Sequence, residues 1–280
     1  LLDDLLEELD LDLPVDPALV ADRYHGPPVR TTTAQRAASD RNWAFGHVIV
    51  DEAQELSPMA WRMVMRRCPT RSMTLVGDVA QTHSAGGAGA WDVALDPYVP
   101  GRWRQETLEI NYRTPAEIMD VAAAVLSEVD PVLTPPRSVR SSGVPPWRVE
   151  VDDLKSTLPE IVAGEVAAAE GGKLAVIVPS GRENELADLL TPSVEIARGR
   201  EPSALDAPAV VLTVPEAKGL EFDVVLAVEP AEIMRGSRRG MRDLYVAVTR
   251  ATQQLGVVHT GELPSSLQAL RPREPALSRS

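Results

Sequence analysis

Six short apolar runs, rich in valine, recur from residue 47 onward: His47–Val50, Met73–Val76, Leu174–Val178, Val210–Val214, Val224–Val228 and Leu255–His259. Their length suits strands. Their unbroken apolar character suits strands covered on both faces, as in a parallel sheet. Helix signals lie between them. Ser57-Pro58 sets a capping hydroxyl before a proline at the first helical position. Thr114-Pro115-Ala116-Glu117 has the spacing of a capping box ahead of the apolar stretch 118–126. Met241, Leu244, Tyr245 and Val248 recur at i, i+3, i+4 and i+7, so they should face a core. Strands alternating with helices imply an α/β fold of the doubly wound kind, with parallel sheets flanked by helices.

The chain has 280 residues, 44% of them apolar, enough for one large domain or two ordinary ones. Cys68 is the single cysteine, so no intrachain disulfide can form and a reducing, cytoplasmic setting is the expectation. No apolar run approaches the ~18 residues of a membrane span, and the opening residues do not read as a signal peptide. The formal net charge of −13 is the wrong sign for nonspecific grip on a phosphate backbone, although a local basic groove remains compatible with it. Residues 1–42 differ from the rest. "LLDDLLEELDLDLP" puts leucines on one helical face and acids opposite, and prolines at 14, 17, 27 and 28 then break the pattern. This segment reads as the remnant of an upstream region or as an acidic partner-binding helix. Residues 130–147, rich in Pro, Ser and Arg, read as an extended connection.

Several segments carry chemistry. In "HVIVDEAQ" a strand delivers Asp51 and Glu52 to the carboxyl end where open α/β sheets bind ligands. One carboxylate can hold Mg²⁺ and the other can deprotonate water. "LVGDVAQ" repeats the design with Gly77, an acid and Gln81, an amide able to sense a terminal phosphate or the attacking water. In "NYRTP", Tyr112 offers a ring for base stacking and Arg113 a fork for phosphate oxygens. In "AKGLEFDVV", Gly219 permits close backbone approach and Glu221 can accept bonds from a ribose hydroxyl. In "LYVAVTRA", Arg250 lies off the apolar helical face, free to point into a cleft. Taken singly, each also reads as an ordinary turn, core or surface feature.

Together and in this order, the five segments resemble motifs II to VI of the UvrD/Rep-like branch of superfamily 1 helicases, over roughly residues 45–260. The resemblance implies a RecA-like P-loop NTPase fold. Residues 43–105 would form the C-terminal part of a first RecA-like domain and residues 106–275 a complete second one, with ATP held between them. It further implies Mg²⁺ on Asp51, Glu52 as catalytic base, Gln81 near the γ-phosphate, Tyr112 on the adenine, Glu221 on the ribose, and Arg113 and Arg250 as arginine fingers. The acidity and the short "PPRSVRSSGVPPW" linker are similar to the HelD-like proteins, helicase-like ATPases that bind RNA polymerase. The partners so implied are ATP, DNA and RNA polymerase, the chain acting as a monomer.

The sequence also departs from that pattern. No G-x-x-x-x-G-K-[ST] phosphate loop occurs; Gly171-Gly172-Lys173-Leu174 lacks the hydroxyl and precedes a strand instead of following one. The expectation is that the first half of the ATP site lies upstream of Leu1, so that the fragment alone is inactive. "QTHSAGGAGAW" leaves His83 and Trp91 as the aromatic candidates for base stacking, with Lys218 as a further nucleic-acid candidate; Trp91 reads more readily as a core residue. Each stacked base is worth ~1–3 kcal/mol, so sparse platforms predict weak strand binding. The competing reading is a non-catalytic RecA-like module docking on RNA polymerase or another protein.

Overall fold

The run Leu174–Val178 forms strand β6, all five residues buried. It sits inside a seven-stranded sheet of order β11-β5-β10-β9-β6-β8-β7. The strands are β5 Trp147–Glu150, β6, β7 Ile196–Arg198, β8 Ala209–Thr213, β9 Phe222–Val228, β10 Ala251–His259 and β11 Arg271–Pro272. Every pairing in the sheet is parallel. The structure, a computed structural model, describes residues 44–274 except 83, 85, 132, 134, 238 and 239. The expected terminal helix in residues 1–42 therefore lies outside the described residues, as does His83.

Strand alternation sends side chains to two cores. Leu174, Val176, Val178, Leu226 and Val258 pack with Leu158 and Val162 of helix Leu154–Ala168 and with Leu186 and Leu190 of helix Glu183–Leu190. Ala175, Ile177, Leu212, Val225 and Val257 pack on the other face with Ile118, Ala122 and Val125 of helix Ala116–Val129 and with Leu244, Tyr245 and Val248 of helix Gly240–Thr249. The result is a mixed α/β architecture, a parallel sheet with helices on both faces. The valine-rich runs mark its centre because both faces there are apolar. Among the described residues no helix is long and apolar enough to cross a membrane.

Among the described residues the chain divides into two compact units, residues 44–48 with 63–73, and residues 49–62 with 74–274. In the smaller unit the Val48 amide donates to the Ser72 carbonyl at 3.1 Å, and the Arg67 guanidinium lies 4.7 Å from the Phe45 ring centroid. In the larger, the Val76 amide donates to the Val50 carbonyl at 2.8 Å. These bonds flank the pairing of β1 Val48–Val50 with β2 Met73–Leu75 in a two-stranded sheet. The expectation of burial on both faces fails for this pair: Ile49 is 71% exposed. Valine-rich composition reports β preference there without reporting cover.

Ser57 caps helix Pro58–Arg67 as expected, its hydroxyl accepting from the Ala60 amide at 3.2 Å. The Thr114/Glu117 capping box does not form. The helix begins at Ala116 with Pro115 at the cap, so Thr114 falls one residue too early and its hydroxyl has no partner among the described residues. Glu117 instead organises the connection. It accepts from the Ser141 hydroxyl and from the Ser142 and Gly143 amides. Within that connection Arg137–Ser138 forms β4, parallel to β3 Ile110–Asn111.

The Ser141 hydroxyl, the amide of Glu117 itself and those of Ser142 and Gly143 together hold the Glu117 carboxyl at about 2, below its ordinary 4.5. A carboxyl lowered by folding contributes stability above its unfolded value, and that contribution is lost as pH falls through the folded value. Glu117→Gln should therefore lower the melting temperature at neutral pH, and the difference from the parent should shrink between pH 4.5 and 2. Thermal unfolding across that range checks it; a difference independent of pH would contradict the assignment.

Candidate functional site

Strand β1 ends at Val50, and the chain turns sharply after it. Glu52 adopts φ 51°, ψ 36°, the left-handed region, with its amide donating to Asp51 Oδ1 at 2.8 Å. Such a conformation costs a non-glycine residue roughly 1–2 kcal/mol, and strain of this kind persists where surroundings enforce it. The enforcing group is Gln54, fully buried. Its Nε2 donates to Glu52 Oε2 at 2.6 Å, and its Oε1 accepts from the Asp78 amide at 3.2 Å. Gly77 is needed beside it, because a Cβ there would lie 2.1 Å from Gln54 Oε1 and 3.2 Å from the Ala53 nitrogen.

Asp78 shapes the next turn, Val79–Gln81. Its Oδ1 accepts from the Ala80 amide at 2.8 Å and its Oδ2 from Gln81 Nε2 at 3.0 Å. With its amide nitrogen so engaged, Gln81 presents Oε1 to Arg250 Nη2 at 3.0 Å. Arg250 is not free in a cleft, as its helical position suggested. It follows the Gly240–Thr249 helix, is 3% exposed, and also donates to the Val246 and Leu220 carbonyls and the Thr249 hydroxyl. Burial, and then the neighbouring Arg113 charge, lower its pKa; Glu52 and Glu221 oppose them.

Thr213 and Glu216 form a capping box at the exit of β8, which fixes the turn carrying Lys218 and Gly219. Gly219 takes φ +74°, the left-handed conformation that favours glycine. Lys218, with its side chain 12% exposed, donates to Glu55 Oε1 and to the Gln81 carbonyl at 2.6 Å, and its Nζ lies 3.9 Å from Glu52 Oε2. Arg113 and Glu221 form an ion pair with both side chains partly exposed. Tyr112 is 73% exposed. Trp91 is half-buried at the start of helix Trp91–Leu95, its ring beside Gly77.

The structure thus links Glu52, Gln81, Lys218 and Arg250 through contacts, and pairs Arg113 with Glu221. Glu221 and Arg250 immediately precede Phe222 and Ala251, which are register partners, so this cluster lies at the amino edge of β9 and β10. Sequence reasoning missed Glu55, Gln54 and Arg242 as organisers. Arg242 Nη1 donates to the Val79 carbonyl, supporting the same turn. Gln54 stood inside the quoted "DEAQ", and its buried bridging role is a property of the fold alone.

Asp51 remains exposed beside this cluster. Among the described residues no three His, Cys, Asp or Glu side chains converge so as to hold a metal ion by themselves. Mg²⁺ commonly takes one or two carboxylates, completing its shell with water and phosphate oxygens, and a single exposed aspartate fits that sparse role.

Residues 208–258, from β8 through most of β10, match the UvrD-like helicase C-terminal domain family. No curated protein matches the chain. Among solved structures, the C-terminal domain of a possible DNA helicase from Lactobacillus plantarum is similar at 23% identity and TM-score 0.45, over 59% of this chain and 99% of that one. Arterivirus nonstructural protein 10, a helicase, is similar at 18% identity and TM-score 0.45, over 81% of this chain and 41% of its own length. Its complex with DNA aligns at 19% identity and TM-score 0.41, over 76% of this chain and 40% of its own. The chain therefore spans less than half of the arterivirus helicase.

Proposed function

We propose that this chain carries part of the ATP-responsive machinery of a superfamily 1 helicase-type motor. The observation that supports it most is the continuous polar network joining Gln54, Glu52, Lys218, Gln81 and Arg250, residues from four separated segments. A scaffold has no physical need to bury a guanidinium against an amide that is itself oriented by an aspartate. The family match over residues 208–258, which holds Lys218, Glu221 and Arg250, supports the same reading.

In this reading Asp51 holds Mg²⁺, which neutralises phosphate charge when bound with ATP. Glu52, locked in its turn by Gln54, accepts the proton of the attacking water. Gln81, held by Asp78 and bonded to Arg250, would couple a terminal phosphate to that arginine by exchanging one of these two contacts for the phosphate or its attacking water. Tyr112 offers an exposed ring to the adenine, and Glu221 releases Arg113 when a ribose hydroxyl takes its carboxylate. Remodelling of an RNA polymerase complex, as in HelD-like proteins, is the finer form of the proposal, favoured by the net charge of −13.

ATP hydrolysis should be absent from the chain alone and appear, dependent on Mg²⁺, in a form extended N-terminally through a phosphate loop. Glu52→Gln should then reduce turnover by about 10²–10⁴-fold, the range of a general base. Turnover by the chain alone would overturn the division of the site, and none from the extended form would favour a non-catalytic docking module. Capture of purified RNA polymerase, set against single-stranded DNA binding at two salt concentrations, separates the finer reading from a strand-tracking motor.

A further inference from the structure

The opposite, carboxyl edge of the large sheet holds a second set of polar groups that the motor reading does not use. Glu150 and His259 are register partners at the ends of β5 and β10, and Arg148 lies two residues before Glu150 on the same face. With Glu262 and Gln268 they line an open cleft of about 440 Å³. His259 is 3% exposed, and its Nδ1 lies 2.8 Å from the Gly261 carbonyl. A carbonyl only accepts, so Nδ1 carries the hydrogen, and in the neutral ring Nε2 is left as an acceptor. That Nε2 is buried without a partner among the described residues, and so is Arg148 Nε, a donor. The Arg148 guanidinium and the Glu150 and Glu262 carboxylates likewise make no ion pair among the described residues.

The wall around these groups is hydrogen-bonded. The Val151 amide donates to the His259 carbonyl at 2.9 Å. Buried Glu229 accepts from both the amide and the hydroxyl of Thr260, at 2.8 and 2.7 Å. Burying a polar group without a partner costs free energy, and such groups occur where something else completes them. The carboxyl edge of a parallel sheet is also where open α/β folds bind ligands. The complementary ligand carries an anionic acceptor for Arg148 and, close by, a cationic N–H donor for the imidazole and the two carboxylates. A bare anion would meet two uncompensated glutamates. A metal ion would lie beside the Arg148 cation, and no metal-holding group exists here among the described residues.

We propose that this cleft binds a zwitterionic α-amino acid, its carboxylate on Arg148 and its ammonium between Glu150, Glu262 and the His259 Nε2 lone pair. The site is independent of the ATP reading and stands or falls without it. Calorimetric titration of the intact chain with each of the common α-amino acids at millimolar concentration should give saturable binding for at least one. Its des-amino and decarboxylated analogues should each bind about tenfold to a hundredfold more weakly, as expected for loss of a charged hydrogen bond. Arg148→Gln should weaken the parent ligand by a similar factor and leave the decarboxylated analogue unaffected, and His259→Asn should weaken the ammonium-bearing ligands. Adenine nucleotides should not compete. The proposal is overturned if no amino acid binds, if the des-amino acid binds as well as its parent, if Arg148→Gln changes nothing, or if inorganic phosphate or zinc saturates the cleft instead. The analogue series decides the matter on the unmodified protein even if a variant fails to fold.

Discussion

Arg250→Ala is expected to lower unfolding stability by about 2–4 kcal/mol, the sum of a large-to-small cavity and several stranded acceptors. The guanidinium is buried and reaches Gln81 Oε1, two backbone carbonyls and the Thr249 hydroxyl. Its removal leaves the Leu220 carbonyl and the Gln81 amide oxygen without their donor and frees Gln81 to rotate about the Asp78 contact. The charge itself works the other way. Burial is the main influence lowering its pKa, and the acceptors that touch it are neutral groups. Arg250→Met, which keeps most of the volume and removes the charge, should therefore cost markedly less than Arg250→Ala. Arg250→Lys should resemble the alanine variant more than its charge suggests, because one ammonium cannot span a fork's worth of acceptors. Urea unfolding of the three variants gives the order directly. Equal losses for Met and Ala would mean that the hydrogen bonds, and not the packing, dominate.

The contrast between what was legible in the sequence and what was not follows from which interactions leave a periodic trace. β6, β8, β9 and β10 were visible because central parallel strands are apolar on both faces, and Leu244, Tyr245 and Val248 were visible because one helical stripe faces the core. β5 was not, because its outward positions, Arg148 and Glu150, break the apolar run. β7 and β11 are only three and two residues long, below any pattern. The candidate site was legible as motif text, residue by residue, but its wiring was not. Arg250 reaching Gln81, Lys218 pairing with Glu55 and Arg113 meeting Glu221 join positions 169, 163 and 108 apart in the chain, and no local spacing encodes such contacts.

The same limit applies to the C-terminal strap, where Arg273→Ala should cost about 1–3 kcal/mol, the upper figures for a broken buried pair being reduced by the arginine's exposure. Glu165, on helix Leu154–Ala168, is 4% exposed and accepts from Arg273 Nη1 at 2.6 Å and from Gln254 Nε2 at 2.6 Å. Arg273 also stacks over Trp147, 4.7 Å from the ring centroid, and its amide donates to the Arg148 carbonyl at 2.8 Å, continuing the β11 pairing with β5. Alanine keeps that backbone bond but removes both the ring contact and the charge that compensates the carboxylate, leaving Glu165 buried with one neutral donor. Removing the other partner has a different consequence. In Glu165→Leu the arginine, with about half of its side chain exposed, turns to water and keeps the Trp147 face, while the helix gains an apolar residue where the carboxylate stood. Glu165→Leu should accordingly be close to neutral, and the double variant should be no worse than it. If thermal unfolding instead shows Glu165→Leu to be the more damaging of the two, the carboxylate anchors the strap through Gln254, and the arginine merely covers it.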